Sequence, residues 1–358
     1  MPAASASDDP RPGAPSASSR PYDVITVADF CVDLVLTGDV VPRFGQAEQL
    51  LDGYLLELGG STCLFAAQAA RLGLRVAVVG ESGDDAFGRF ARDRLAATGV
   101  DCRRLTVVPG RKTGVGVALT TPDDRAILTY AGTAEGIDAA ALDDDLLRSA
   151  RHLHIGSYFL MRRLRCGVAD LIARARRHGL TVSLDSNWDP DERWDGVRAL
   201  LPAVDLFLPN RNELEAVFGM AAPLALEAAA ALCPCVAVKC GEDGAWLRRG
   251  DAAITCRGRP VPAVDGIGAG DAFDAGLVYG LMQGWDDAAA LRAACACGAA
   301  SVRAPGGLDG QLTGAELDRW IIREAWAVAE AAAERLCVPL TEEDAQLRAE
   351  SDPGQQEW

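Results

Sequence analysis

The stretch PAVDGIGAGDAFDAGLVYGLMQG, residues 262–284, sets three glycines (Gly266, Gly268, Gly270) ahead of an aspartate and begins an apolar helical pattern at Ala272. Glycine lets the backbone take positive φ and come close to a ligand. The first N–H groups of a helix have no intrahelical partner and lie at the positive end of its dipole, so anions settle there readily. An aspartate in that place, Asp271, is repelled by the same anion unless its carboxylate has a separate use. One use is to take the proton of a substrate hydroxyl as that oxygen attacks phosphorus, while Gly268, Ala269 and Gly270 hold the charge of the transferring group. Another is helix N-capping, which is common for Asp. The segment by itself leaves both open. Small residues along the helix that follows (Ala272, Ala275, Gly276, Gly280) predict close helix packing.

On the amino-terminal side of this segment, apolar strand-like runs alternate with amphipathic helical ones. YDVITVADF (22–30), RVAVVG (75–80), HLHIGSYF (152–159), LTVSLDSN (180–187), VDLFLPN (204–210) and CVAVKCG (235–241) read as buried strands. STCLFAAQAARLG (61–73), DDAFGRFARDRLAATG (84–99), CGVADLIARARRHG (166–179) and ELEAVFG (213–219) read as helices. Strand followed by helix, with Val/Ile/Leu-rich strands, predicts an α/β chain: a mostly parallel sheet covered by helices on both faces. Two regions, Thr37 to Leu58 and Cys102 to Thr133, break the rhythm with alternating residues and turn formers. TGVGVALTTPDDRAILTYAG (113–132) reads as a hairpin turning at Pro122-Asp123-Asp124. These stretches are expected to form a small β-sheet lid over the carboxyl edge of the main sheet. Residues 1–20, rich in Pro, Ala and Ser, read as a disordered tail without the apolar core of a secretory signal. The main domain is placed at 21–320, and 321–358 reads as a helical extension with a frayed end.

Bulk properties narrow the function. The 358 residues suffice for a sizeable core, and a net charge of −16 argues against nucleic acid or an anionic membrane as the main partner. No apolar run reaches the roughly 18 residues of a membrane span. The eleven cysteines are scattered through apolar segments, without paired CxxC or Cys/His spacing. Reduced, buried thiols in a cytoplasmic protein is the better reading, for Cys233-Pro-Cys235 as for the rest.

Residues 262–284 resemble the second signature of the ribokinase-like (PfkB) carbohydrate kinases, a D-T-x-G-A-G-D-x-F pattern. GGSTCLFAAQAARLGLRVAVVGESGDDAFGRF, from Gly59 to Phe90, resembles the first, about 200 residues earlier. The resemblance covers roughly residues 22–320. It implies a three-layer α/β/α ribokinase-like fold with a lid, and ATP-dependent transfer of a phosphoryl group to a hydroxymethyl of a sugar or sugar-like acceptor. Asp271 would be the general base and Gly268-Ala269-Gly270 the anion hole. Asp33, at the end of Ala28-Asp29-Phe30-Cys31-Val32-Asp33, would accept from acceptor hydroxyls. Gly59 and Gly60 would offer bare backbone to the acceptor, and Asn187 would stand at the cleft end of its strand. Asn210 and Glu213 match an N-x-x-E motif, with Glu213 reaching Mg²⁺ through water. Lys239, Gly241, Gly244, Asp265 and Gly298 would flank the nucleotide. ATP and Mg²⁺ are the implied cofactors, with K⁺ a further candidate, because relatives often hold a monovalent cation near Asp265. Relatives often dimerise through the lid.

Departures from the family pattern bear on the acceptor. Leu64 stands where many relatives have Asn, Gly266 and Ile267 replace the usual Thr-like pair, Cys295 replaces a frequent Asn, and Trp188-Asp189-Pro190 replaces a common Arg. A nucleoside kinase of the same fold is the alternative enzyme, and a ligand-sensing relative without catalysis is the alternative of another class. Arg162, Arg163 and Arg165 read first as a solvated helix start and second as a reader of an anionic acceptor. His152 and His154 share one strand face and read as structural.

Overall fold

The computed structural model describes residues 20–121 and 125–321. The chain divides into one unit ending at Leu317 and a second from Asp318 onward, of which residues 318–321 are described, as helix. The tail over 1–19, the turn at Pro122-Asp123-Asp124 and the extension beyond 321 lie outside the described residues.

The strands are β1 (Val24–Ala28), β2 (Cys31–Thr37), β3 (Gly53–Gly59), β4 (Val76–Gly83), β5 (Asp101–Val108), β6 (Gly114–Thr120), β7 (Arg125–Tyr130), β8 (His152–Ile155), β9 (Thr181–Leu184), β10 (Leu206–Phe207), β11 (Cys235–Lys239), β12 (Gly244–Arg249) and β13 (Ala252–Arg257). The α-helices are α1 (Ser61–Arg71), α2 (Ala86–Ala96), α3 (Asp144–Arg148), α4 (Arg162–Arg177), α5 (Val197–Leu200), α6 (Arg211–Phe218), α7 (Ala222–Ala230), α8 (Ala269–Met282) and α9 (Asp287–Ser301). A 9-stranded sheet runs in the order β13-β12-β11-β10-β9-β8-β1-β4-β5, and a 4-stranded sheet in the order β3-β2-β6-β7. From β11 to β5 the large sheet is parallel, and β12 and β13 add an antiparallel edge.

The alternation of β1 explains the layers. Ile25 and Val27 face one apolar cluster with helices α3 to α7, whereas Val24 and Ala28 face another with α1, α2, α8 and α9. β4 divides its side chains likewise, Ala77 and Val79 against Val76 and Val78. A period of two with both sets apolar is what a sheet buried on both faces requires. Each fully buried side chain such as Phe65, Leu153 or Ile155 contributes roughly 1.5–3 kcal/mol. His152 and His154 share Ser183 Oγ at 2.8 Å each, and His154 stacks on Phe65 with ring centroids 3.7 Å apart. Burial lowers both imidazoles to about 3, so they are neutral structural groups.

The sequence boundaries of the lid need correction. Residues 101–108 are the edge strand of the large sheet, because β5 pairs in parallel with β4. The small sheet begins at Cys31, with only two residues between it and the end of β1, so the chain passes directly from the large sheet into the small one. Arg162, Arg163 and Arg165 occupy the first turn of α4, where Arg162 and Arg163 pair with Glu135 and Asp138.

Candidate active site

The parallel strands deliver their carboxyl ends to one edge, where open α/β sheets bind ligands. Asp29 follows β1, Ser157 follows β8, Asp185 and Asn187 follow β9, Asn210 follows β10, and Lys239 ends β11. The first turn of α8 also reaches this edge. Gly268 precedes that helix with φ 73° and ψ 0°, a left-handed conformation that suits glycine. A Cβ there would lie 3.0 Å from Gly307 Cα and from Leu64 Cδ1. Leu64 therefore packs under the glycine turn. The pose of α8 is set further along by Gly276 and Gly280, where a Cβ would come within 2.9 Å of Ala293 O and 2.8 Å of Ala290 Cα on α9. Gly298 lies across from the start of α8, its missing Cβ 3.2 Å from Ala269 O.

Asp271 sits in that first turn and is buried. Burial first, then the nearby charges of Asp185 and Asp29, push its carboxyl well above the usual range, while Lys239 and a hydrogen bond from Ser61 oppose the shift. One turn on, Asp274 is fully buried and shifted up for the same leading reason. Lys239 is the cation among these acids. Its Nζ lies 2.7 Å from Asp185 and 3.3 Å from Asp274, and a Cβ on Gly270 would stand 3.5 Å from it. Burial disfavours the ammonium, but the carboxylates of Asp185, Asp274 and Glu213 outweigh it and raise Lys239. Burial likewise opposes ionisation of Asp185, yet Lys239 holds that carboxyl below the ordinary value.

Asn210 and Glu213 form a reciprocal capping box on α6: Glu213 N donates to Asn210 Oδ1 at 2.9 Å, and Asn210 N donates to Glu213 Oε2 at 2.8 Å. Burial, then Asp185, raise Glu213 to about 7. Asn210 bridges to Lys239 in the sheet direction, so motif and lysine share one ledge. Four carboxyl groups thus surround one ammonium beside a helix N-terminus. The glycine backbone at the helix N-terminus, beside that ammonium, suits an anion such as a phosphate.

The side of the site next to the small sheet is built around a second carboxylate pair, Asp29 and Asp33. Asp29 holds the start of α1: its oxygens accept from Ser61 N and Thr62 N at 3.0 Å each and from the hydroxyls of Thr62 and Ser157. Gly60 makes this approach possible, with φ 90° and a missing Cβ that would lie 2.4 Å from Asp29 O. Asp33 points between two glycines. A Cβ on Gly59 or Gly116 would fall 2.5 or 2.4 Å from Asp33 Oδ1. Burial, then the charge of Asp29, raise Asp33 to about 7 against the pull of Arg125 on β7. Arg125 also reaches the glycine turn, its Nη1 3.5 Å from the position of a Cβ on Gly266. Asn187 closes the space between the two halves. Its Oδ1 accepts from Ser157 N at 2.6 Å and its Nδ2 donates to Ser61 Oγ at 3.0 Å. Asn187 (φ 53°) and Ser157 (φ 48°) both take left-handed backbone, a strain that clusters at functional sites.

The model of the pfkB family carbohydrate kinases matches residues 23–313. The chain belongs to that family. This carbohydrate kinase is 34% identical to the ATP-dependent ribose-1-phosphate kinase of Halopiger xanaduensis, over 67% of this chain and 79% of that one. It is 28% identical to the 5-dehydro-2-deoxygluconokinase of Geobacillus thermodenitrificans, over 76% of this chain and 84% of that one. Among solved structures, a putative ribokinase II from E. coli in complex with ATP and Mg²⁺ superposes with a TM-score of 0.75 at 25% identity, covering 84% of this chain and 99% of that one.

Within the kinase, the residues singled out by motif fall into three groups. Asp271, Gly268, Ala269, Gly270, Lys239, Asn210, Glu213 and Asn187 lie at the carboxyl edge of the large sheet, Asp33 and Gly59 lie on the small sheet, and Gly60 caps α1. Asp265 acts on backbone: it accepts from Ile267 N at 2.9 Å and Gly306 N at 3.0 Å, tying together the loops on either side of the glycine turn. Gly244 is required by chain packing, since a Cβ there would lie 2.1 Å from Cys256 O, and Gly241 opens the same turn with φ 60°. Motif reading assigned no role to Asp29, Ser61, Ser157, Asp274 and Arg125. Asp274 had a signal, three residues after Asp271 and so on the same helix face. Ser61 and Ser157 had none, because their meaning depends on strands that are distant in sequence.

Proposed function

We propose that this kinase moves the γ-phosphoryl group of ATP to a hydroxymethyl of a sugar or sugar-like acceptor, with Asp271 as general base. The observation that carries this is the placement of Asp271 in the first turn of α8, behind a left-handed Gly268 and beside the Lys239 ammonium. The free N–H groups of Ala269, Gly270 and Asp271 would face the charge that develops on the transferring group. ATP would supply that group, and Glu213 would hold Mg²⁺ through water, where the ion would offset the phosphate charge. Asp33 would accept from acceptor hydroxyls between its two glycines. Asn187 and Ser61 would orient Asp271, since Ser61 Oγ touches both. Asp271 has to be ionised to act, so ligand cations must lower what burial raises.

An acidic sugar is the acceptor class best supported. The two relatives above are named for a sugar phosphate and a sugar acid. In this chain Arg125 supplies a cation over Asp33. Its side of the lid also exposes Ile127, Leu128 and Tyr130, which supports pairing of two lids in a homodimer.

Release of ADP from ATP and Mg²⁺ across a panel of neutral sugars, sugar acids, sugar phosphates and nucleosides tests the reading. Asp271→Asn is expected to lower kcat by at least about 10³-fold with ADP binding preserved. Retention of most activity in that variant would remove Asp271 as the base. Turnover confined to nucleosides would replace the acceptor.

A further inference from the structure

At the opposite, amino edge of the large sheet lies a cavity of about 580 Å³. Arg20, Arg151, Arg249, Thr181, Asp205 and Asp287 give it a polar lining, and Leu281 and Met282 an apolar one. Its charges are unbalanced. Arg249 has a carboxylate of its own, Asp287 at 2.9 Å. Arg151 reaches Asp23 at 3.3 Å, but Asp23 already holds Arg75 at 2.9 Å. Arg20 is buried and pairs with no carboxylate among the described residues. It donates to the carbonyls of Ala150 and His178 instead. Burial, then repulsion from Arg151, lower its pKa. The two carboxylates that line the cavity are already engaged, Asp287 by Arg249 and Asp205 by Arg176 at 2.8 Å, so Arg20, Arg75 and Arg151 stand against the single charge of Asp23.

A buried guanidinium without a counter-charge is costly, and a phosphate matches its fork of donors while supplying the missing negative charge. The apolar lining suits a carbon skeleton, and the volume is that of a small-molecule site. We propose that this cavity binds a small phosphate ester, of sugar-phosphate size, through Arg20 and Arg151.

The site is separate from the transfer site yet touches the same helix. Met282 ends α8, and its carbonyl, without an intrahelical partner, is 3.5 Å from Arg151 Nη2. The residue steps of α8 from Asp271 to Met282 place that carbonyl about 17 Å along the helix from Asp271. A ligand that engages Arg151 would act on the far end of the catalytic helix.

The test is calorimetric titration of glucose 6-phosphate into the full chain with ADP and Mg²⁺ at saturation, which fills the nucleotide half of the transfer site and leaves Asp33→Asn to report on the acceptor half. One saturable site is expected, with no heat from unphosphorylated glucose. Arg20→Gln and Arg151→Gln should each weaken binding at least about tenfold. Met282→Trp fills the space without touching a charge and should weaken it as much, which keeps the test decisive if Arg20→Gln does not fold. Asp33→Asn should leave it unchanged. Absence of saturable binding with ADP present overturns the proposal. So does equal binding of glucose, or binding lost in Asp33→Asn and kept in Arg20→Gln and Met282→Trp.

Discussion

Lowering the pH from 8 to 6 should cost this kinase about tenfold in kcat/KM for its acceptor, and Asp33 is the reason. Its carboxyl is raised to about 7 by burial and by Asp29, with Asp265 adding to the shift and Arg125 opposing it. A carboxylate must be ionised to accept from two acceptor hydroxyls. At pH 8 about nine tenths of Asp33 is ionised, and at pH 6 about one tenth. An aspartate at the ordinary value would be ionised at both. The same shift acts on stability with the opposite sign for function. The folded protein prefers protonated Asp33, so nothing is lost below the unfolded value, and stability falls as pH rises from there toward 7. The cost above pH 7 is of the order of 4 kcal/mol. Asp33→Asn should therefore flatten the acid limb near pH 7, lower kcat/KM at every pH, and raise the denaturant midpoint at pH 8 but not at pH 4. Asp271 and Glu213 also titrate upward of their usual range, so the variant is needed to assign the limb. An unchanged limb in Asp33→Asn would refute the assignment.

Three further outcomes follow from the site. Gly60→Ala forces a Cβ to 2.4 Å from Asp29 O at φ 90° and should lower stability by about 1–3 kcal/mol in chemical denaturation, with acceptor KM rising more than ADP affinity falls. Ser61→Ala removes a hydrogen bond that favours ionised Asp271, so the acid limb of kcat itself should move to higher pH, read from a pH profile at saturating acceptor. Lys239→Met leaves Asp185 and Asp274 buried without their cation and should cost about 3–5 kcal/mol of stability, partly restored by adding Asp274→Asn. Equal stability of Lys239→Met and wild type would show that the acids are neutral in the native protein.

The layers were legible because both faces of the parallel strands are apolar and the helices carry the complementary period. The lid was legible only as a change of rhythm. Residues 101–108 alternate like lid strands, yet they join the large sheet, because pairing with β4 is a long-range choice that alternation cannot express. Asp271 and the glycine turn could be found from the sequence because a helix N-terminus is a local device. Asp33 needed the motif, and the reason for Gly59 emerged only in three dimensions, where it and Gly116 make room for that carboxylate from two neighbouring strands. Lys239 was legible as a cation at the edge, but its commitment to Asp185 and Asp274 was not.

That commitment changes what Lys239 can contribute. An ammonium tied to two buried carboxylates cannot swing to follow a phosphate during transfer, as a free lysine could. Its charge is instead fixed in place beside Gly270. Asp274 matters here because its position one turn after Asp271 puts a second acid on the face that meets Lys239. Without it, Lys239 would be held from the strand side alone. The arrangement is preorganised in the sense that matters for phosphoryl transfer: the charges around the glycine turn are held before any ligand arrives, and the cost of holding them is borne by burial within the fold.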